Sequence, residues 1–294
     1  MEKGSQNSHS FHLAGIVPVA GQKLDFNFPW HDCLQPIGKN YLAVERAVLE
    51  CAYAGCETIW IVCHDDMQPL IKHRLGEYVL DPVFLQRTRF SSEGEQQEIP
   101  LYYVPIHPKD RDKRDCLGWS VLYGALTAYW LSKTISKWVI PDRFYAAFPY
   151  GVYDPALLQP YRKQISSKKP FYIQFSGQNV KDNQYLGFTF DGEDFKKCRR
   201  HLRKEGTGEF HGYDTDRIPI EERWSARTFK LDKVFECVTI ESASTLEVPW
   251  YYKIDSWDGL RDFFGSKECK TLDKPYDIGY HRLSKIGTDN YEKN

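Results

Sequence analysis

Apolar positions along this chain fall into short runs separated by polar turns, and the runs differ in period. Ile16 to Val19 is apolar and rich in β-branched residues, and it stops at Ala20-Gly21, which predicts a buried strand emptying into a loop. Leu42, Val44, Ala47, Val48, Cys51 and Ala52 recur at three- and four-residue spacing, so an amphipathic helix is expected there, with Gly55 as its C-terminal stop. Thr58 to Cys63 is a second apolar run and predicts a second strand. Strand, helix-bearing connection and strand together are the unit that a parallel sheet requires. Further on, Ile99 to Ile106 alternates as a strand does, and Phe144 to Phe148 is apolar without alternation, as in a central strand buried on both faces. Pro170 to Phe175 and Gln184 to Phe190 read as two antiparallel strands. Ser91 to Gln97 and Gly206 to Arg217 have the composition of loops.

These elements predict one three-layer α/β/α domain with a mostly parallel central sheet, Rossmann-like in its opening unit. The expected organisation is a flexible tail over residues 1–12, the α/β domain over 13–265, and a charged, weakly apolar extension over 266–294. The 294 residues suit one large α/β domain or two small ones, and 41% hydrophobic content can supply the core. A net charge of -1 gives no general attraction to nucleic acid or membrane, so neither is expected as a partner. No apolar stretch is long enough to span a bilayer, and Met1 to Ser10 has no signal-peptide core, so a cytoplasmic location is expected. The eight cysteines include no C-x-x-C pair, which favours buried free thiols over disulfides or a zinc site.

Candidate chemistry concentrates at the first strand end. Ligands of parallel sheets bind beyond the carboxyl ends of the strands, and Ala20-Gly21 has side chains small enough for a phosphate to approach the backbone N–H groups. Lys23 follows as a cation placed to neutralise phosphate, and Gln22 adds a donor. Phe26, Phe28, Pro29 and Trp30 suit either a lid over such a site or a plug against the sheet. His107 to Cys116, HPKDRDKRDC, is a dense run of mixed charge that reads as a phosphate-lining segment or as a solvated loop.

In its ordered motifs the chain resembles the sugar-phosphate nucleotidyltransferase family, whose fold is glycosyltransferase-A-like. Ala20-Gly21 stands where the family has its glycine pair, Lys23-Leu24 for its arginine-leucine, and Leu34-Gln35-Pro36-Ile37 for its leucine-leucine-proline-valine run, while the family's phosphate-binding lysine falls on Asp32. Ala54 to Val62 with Ile71 to Gly76, Leu117-Gly118-Trp119-Ser120, Phe144 to Leu158, and Trp250 to Phe264 are similar to successive family elements. The resemblance implies a nucleotide-diphospho-sugar transferase-like fold and a nucleoside triphosphate or sugar nucleotide as partner, with a homo-oligomer left open. It further implies nucleotide contacts at Ala20, Gly21, Gln22 and Gly118, with His107 and Lys109 facing the base. Lys23 and Asp255 are the implied catalytic pair, and Mg2+ is the implied cofactor, with Asp255 and Asp154 as its candidate ligands. The family's own ligand positions carry Tyr150 and Lys253. The chain also resembles bacteriophage-encoded proteins, which would suit work on modified nucleotides.

Three functions follow from this resemblance. The first is transfer of a nucleotidyl group from a nucleoside triphosphate to a sugar phosphate or similar acceptor. The second is a catalytically degenerate member serving as a nucleotide-binding sensor, subunit or scaffold. A glycosyltransferase using a sugar nucleotide ranks third, on the expectation that the chain offers no Asp-x-Asp metal motif.

Overall fold

A computed structural model of the chain describes residues 11–22, 27–87, 97–208, 225–240 and 242–276. The strands in chain order are β1 (Leu13–Pro18), β2 (Pro36–Gly38), β3 (Tyr41–Leu42), β4 (Thr58–Cys63), β5 (Tyr78–Leu80), β6 (Glu98–Pro105), β7 (Arg143–Ala146), β8 (Gly151–Val152), β9 (Phe171–Gln174), β10 (Phe188–Phe190), β11 (Ser244–Glu247) and β12 (Tyr252–Lys253). The helices are α1 (Ala43–Ala54), α2 (Gln68–Leu75), α3 (Pro82–Arg87), α4 (Pro108–Arg114), α5 (Leu117–Ile135), α6 (Arg162–Ile165), α7 (Gly192–Gly208), α8 (Leu231–Phe235), α9 (Trp257–Phe264) and α10 (Glu268–Thr271).

Among the described residues the main sheet has eight strands, in the order β11-β9-β10-β7-β1-β4-β6-β5. β7, β1, β4 and β6 run parallel at its centre, and β10 and β5 join antiparallel. β1 lies between β4 and β7, as its unbroken burial requires. Helices cover both faces, and neighbouring residues of β1 identify which helix covers which. A Cβ at Gly15 would press on Cys51 of α1, whereas Ile16 meets Gly124 of α5. Successive residues of a strand point to opposite faces, so α1 and α5 sit on opposite sides of the sheet. The core is therefore a three-layer α/β/α sandwich, as expected.

Several elements differ from the pattern reading, each for a local reason. β1 begins at Leu13 instead of Ile16 and leaves the ladder at Pro18, after which Val19 and Ala20 both donate to the Val62 carbonyl, at 2.8 and 3.0 Å. β10 keeps only the last three residues of its predicted run, because the chain from Gln184 to Gly187 turns away to place Tyr185 elsewhere. α1 is not amphipathic: every one of its residues is buried, since the segment Pro155–Tyr161 packs over its outer side. Gly55 does end it, at φ 89°. Of the expected loop Gly206–Arg217, the first three residues close α7, and 209–217 lie outside the described residues. Residues 1–10, and 91–96 of the expected Ser91–Gln97 loop, also lie outside them. The expected extension is described as far as Tyr276, and there it is packed on the domain: the Lys274 side chain is 6% exposed and meets Glu45 at 2.9 Å.

No helix among the described residues is long and apolar enough to cross a membrane. All eight cysteines are free thiols, six of them buried.

Candidate functional site

The loop after β1 is held by its carbonyls. Tyr150 donates its hydroxyl to Val19 O at 2.9 Å, and Ser120 on α5 donates to Ala20 O at 2.6 Å. Gly21 follows at φ 82°, and a side chain there would overlap the backbone of Cys116, the residue before α5. Only glycine satisfies both the left-handed backbone and this close approach. The Ala20-Gly21 turn and the start of α5 are thereby brought together. Gly118 faces α8, where a Cβ would come within 2.8 Å of Val234.

A second element closes in from the far end of the chain. β12 pairs antiparallel with β8, setting Lys253 opposite Gly151, and Ile254 N donates to Tyr150 O at 2.9 Å. Tyr150 and Lys253 are thus neighbours on one two-stranded ribbon. Tyr150 is fully buried, with its phenol pushed far up by desolvation, so it remains a neutral donor to Val19.

Between these elements lies a cleft of about 640 Å³. Gly21, Gln22, Asn27 and Leu117 line one side, and Asn183 and Tyr185 lie along it. Arg227, Thr228, Phe229, Lys230 and Leu231 form another wall, and Lys253 and Asp255 complete it. Asp255 Oδ2 accepts from the Tyr185 hydroxyl at 3.0 Å and lies 3.4 Å from the Lys253 ammonium. Lys253 Nζ also sits 4.7 Å from the centroid of the Tyr185 ring, in cation–π range. Burial first, and then the charge on Asp255, raise the Tyr185 phenol far above its ordinary range, so it stays protonated and able to donate. Its hydroxyl also lies 3.4 Å from Gln22 Oε1. The single proton favours the shorter contact to the carboxylate.

The structure brings Gly21, Gln22 and Asp255 into the cleft; Ala20 and Gly118, also expected as nucleotide contacts, are buried and do not line it, Gly118 packing on Val234, and three other expected site residues lie elsewhere. His107 and Lys109 are exposed at the start of α4, where His107 Nδ1 accepts from Lys109 N at 3.2 Å as a helix cap, and neither lines the cleft. Asp154, expected at a metal ion, instead accepts from Ala156 N at 2.9 Å and caps the segment Pro155–Tyr161. Lys23 lies outside the described residues, in the stretch between Gln22 and Asn27. Phe28 is a plug, not a lid: it is buried edge-on against Trp257, at 5.8 Å between centroids. The sequence contains Asp-x-Asp twice, at Asp110-Arg111-Asp112 and Asp214-Thr215-Asp216. The first belongs to α4, with Asp110 paired to Arg114 at 3.0 Å, and the second lies outside the described residues.

The pattern reading missed Tyr185, Asn183 and the wall from Arg227 to Leu231. No local motif marks them, because distant segments deliver them to the cleft.

The donor set is a poor fit for a magnesium ion, because its one described carboxylate is shared with the Lys253 ammonium. Mg2+ at a phosphate site is held by one or two carboxylates together with phosphate oxygens. Asp255 is the one carboxylate among the described lining residues, and its Oδ2 is already engaged by Tyr185 and Lys253. A like charge about 4 Å away costs roughly 4 kcal/mol per unit of charge near a protein surface, and a divalent ion carries two units. Among the described residues no group of three or more His, Cys, Asp or Glu is arranged to hold a metal.

No family model matches the sequence, and no curated protein matches it. Solved structures do match the fold. A protein from Bacillus anthracis described as a glucose-1-phosphate thymidylyltransferase is similar with a TM-score of 0.53 and 10% identity, over 89% of this chain and 97% of that one. An apo UDP-glucose pyrophosphorylase is similar with a TM-score of 0.50 and 13% identity, over 89% of this chain and 100% of that one. The nucleoside-diphosphate-sugar pyrophosphorylase of Vibrio cholerae is similar with a TM-score of 0.50 and 12% identity, over 86% of this chain and 100% of that one. At these identities the likeness is one of fold alone.

Proposed function

We propose that this chain is a nucleotidyltransferase-like protein. In this reading its cleft takes a nucleoside triphosphate or sugar nucleotide, and its reaction joins the triphosphate to a sugar phosphate or similar acceptor. The observation that carries the reading is the charge of the cleft at the carboxyl end of β1: among its described lining residues, Arg227, Lys230 and Lys253 accompany one carboxylate, Asp255. A concave site with that balance attracts phosphate. Leu117, at the start of the nineteen-residue helix α5, opens on the same cleft, which adds the positive end of a helix dipole. Gly21 lines the cleft and lets its loop pack directly on the Cys116 backbone.

The transfer requires an oxygen of the acceptor's phosphate to attack the α-phosphorus of the triphosphate. One P–O–P linkage forms, another breaks, and pyrophosphate leaves. Negative charge spreads over the departing oxygens, and the cleft's cations are placed to neutralise it. Lys23, two residues after Gly21 in the sequence, is proposed as a further phosphate contact.

A second reading, a non-catalytic nucleotide-binding sensor, subunit or scaffold, is favoured by one observation. Tyr150 and Lys253 occupy the two positions where the resemblance calls for metal-binding carboxylates, and both are engaged in hydrogen bonding or ion pairing within the protein.

Pyrophosphate release, measured with each nucleoside triphosphate in the presence of hexose 1-phosphates, decides between them. Release that depends on both substrates is expected for the transferase. Binding of a nucleotide with no release in any combination would leave the second reading. No binding at all would overturn both.

A further inference from the structure

We infer that the Lys253 ammonium, and not a divalent ion, is the cation that meets the ligand's phosphates at the β12 wall of the cleft, so that phosphate binding there is metal-independent. This rests on the cleft being a phosphate site, as proposed above.

Backbone constraints fix where Lys253 starts. β12 is bonded to β8, Ile254 N is tied to Tyr150 O at 2.9 Å, and Gly259 at the head of α9 packs so closely on the Lys253 carbonyl that no side chain fits between them. The side chain then runs along the face of the Tyr185 ring, 4.7 Å from its centroid, and its head reaches Asp255 Oδ2 at 3.4 Å. An ammonium has three N–H donors. One is accounted for by Asp255, and the side chain is 35% exposed on the cleft side, so donors remain for an incoming oxygen anion.

The same contacts count against a metal. Asp255 offers Oδ2 to a neutral donor and to a cation, and a divalent ion at that oxygen would face the ammonium at close range. Tyr150, on the paired strand, directs its hydroxyl to Val19 O and away from any shared ion. Asp255 thus acts as a positioning residue. It holds Lys253 over the Tyr185 ring, and its own charge opposes a phosphate.

The test is isothermal titration of the full chain with inorganic pyrophosphate and, separately, with ATP, GTP, CTP, UTP and dTTP, each in EDTA and in magnesium. The variants are Lys253→Met and Asp255→Asn, with thermal melts to establish that each is folded. Expected are binding in EDTA that magnesium does not strengthen, a loss of about ten- to hundred-fold in Lys253→Met, as for a charge-assisted hydrogen bond, and tighter binding in Asp255→Asn. Binding that appears only with magnesium and vanishes in Asp255→Asn would overturn the inference and leave the nucleotide reading standing. Metal-free binding that ignores Lys253→Met would also overturn it. Pyrophosphate binding in EDTA with no nucleotide bound would uphold Lys253 and overturn the nucleotide reading. No binding of any probe would overturn both.

Discussion

Residue identities near the β1 loop carry their chemistry through geometry that is only partly local. Gly21, Gln22 and Asp255 are legible in the sequence because a glycine at a strand end and a carboxylate just after a closing strand are local patterns. Tyr185 and Arg227 are not, since one lies in an irregular segment and the other in a single short 3-10 turn, and each gains meaning only when the fold sets it beside Asp255 or across the cleft. Two histidines outside the cleft lining show the same dependence on surroundings. His31 accepts from Cys33 N at 3.3 Å, and burial, with help from nearby His64 and against the pull of Asp66, lowers its pKa to about 4. His64 pairs with Asp115 at 2.9 Å, and that hydrogen bond raises its pKa despite burial and the nearby Arg111. The two therefore act in opposite directions with pH. Between pH 6.5 and about 4 the unfolded chain binds a proton that folded His31 refuses, so this contribution is complete above 6.5 and is lost as the pH falls through that window. The His64 contribution is complete below 6.5 and is lost as the pH rises through its raised pKa. His31→Asn keeps a cap acceptor and cannot titrate. Urea midpoints measured from pH 7 to 4 should fall less steeply in this variant than in the parent, and parallel curves would remove His31 as the cause.

At the scale of elements, α1 shows what a pattern conceals. Its apolar spacing is legible and so is its glycine stop, but its charged residues read as a solvated face when they are in fact internal. Arg46 and Glu50 are both fully buried and pair at 2.8 Å. Arg46 also donates to the Phe148 carbonyl at 2.6 Å, and Tyr145 donates to Glu50 at 2.7 Å. The pair thus joins α1 to β7 and to the chain just before Tyr150. β4 has the boundaries that its apolar run predicts, because both its faces are covered and composition alone defines it. Composition cannot define a buried ion pair, whose partners are set by the fold. Removing one partner leaves the other charge buried without compensation, which costs about 3–5 kcal/mol. Glu50→Leu should therefore lower the urea midpoint strongly. Adding Arg46→Met to it should recover part of the loss, because no stranded charge remains. A double variant no more stable than Glu50→Leu would show that the pair's worth lies in its contacts to Phe148 and Tyr145.

For the whole molecule, the three-layer plan and the central place of β1 are legible because a parallel sheet demands buried strands joined by helical connections. The edge of the domain is less so. The segment after Gly265 reads as a charged extension, with few apolar positions to suggest packing. Yet its first part returns across the sheet's α1 side: Lys274 Nζ lies 2.9 Å from Glu45 and donates to Asn40 O at 3.0 Å, and the Tyr276 hydroxyl donates to Leu80 O. Glu45 is completely buried and accepts also from Arg74 at 2.8 Å and from Leu42 N at 2.8 Å. Its carboxylate is thus shared between two cations from distant parts of the chain, and Lys274 is the one that ties down the C-terminal segment. Lys274→Met retains most of the stem's packing and removes the charge. With Arg74 still in place, the expected loss is at least about 1.5–3 kcal/mol, that of the hydrogen bond to the charged Glu45, with the bond to Asn40 O lost as well. Truncation after Leu272 should lose more, because Tyr276 goes as well. Thermal melts of the two variants give the comparison. If both melt with the parent, residues 273–276 are dispensable to the domain, and its boundary belongs where the sequence pattern sets it.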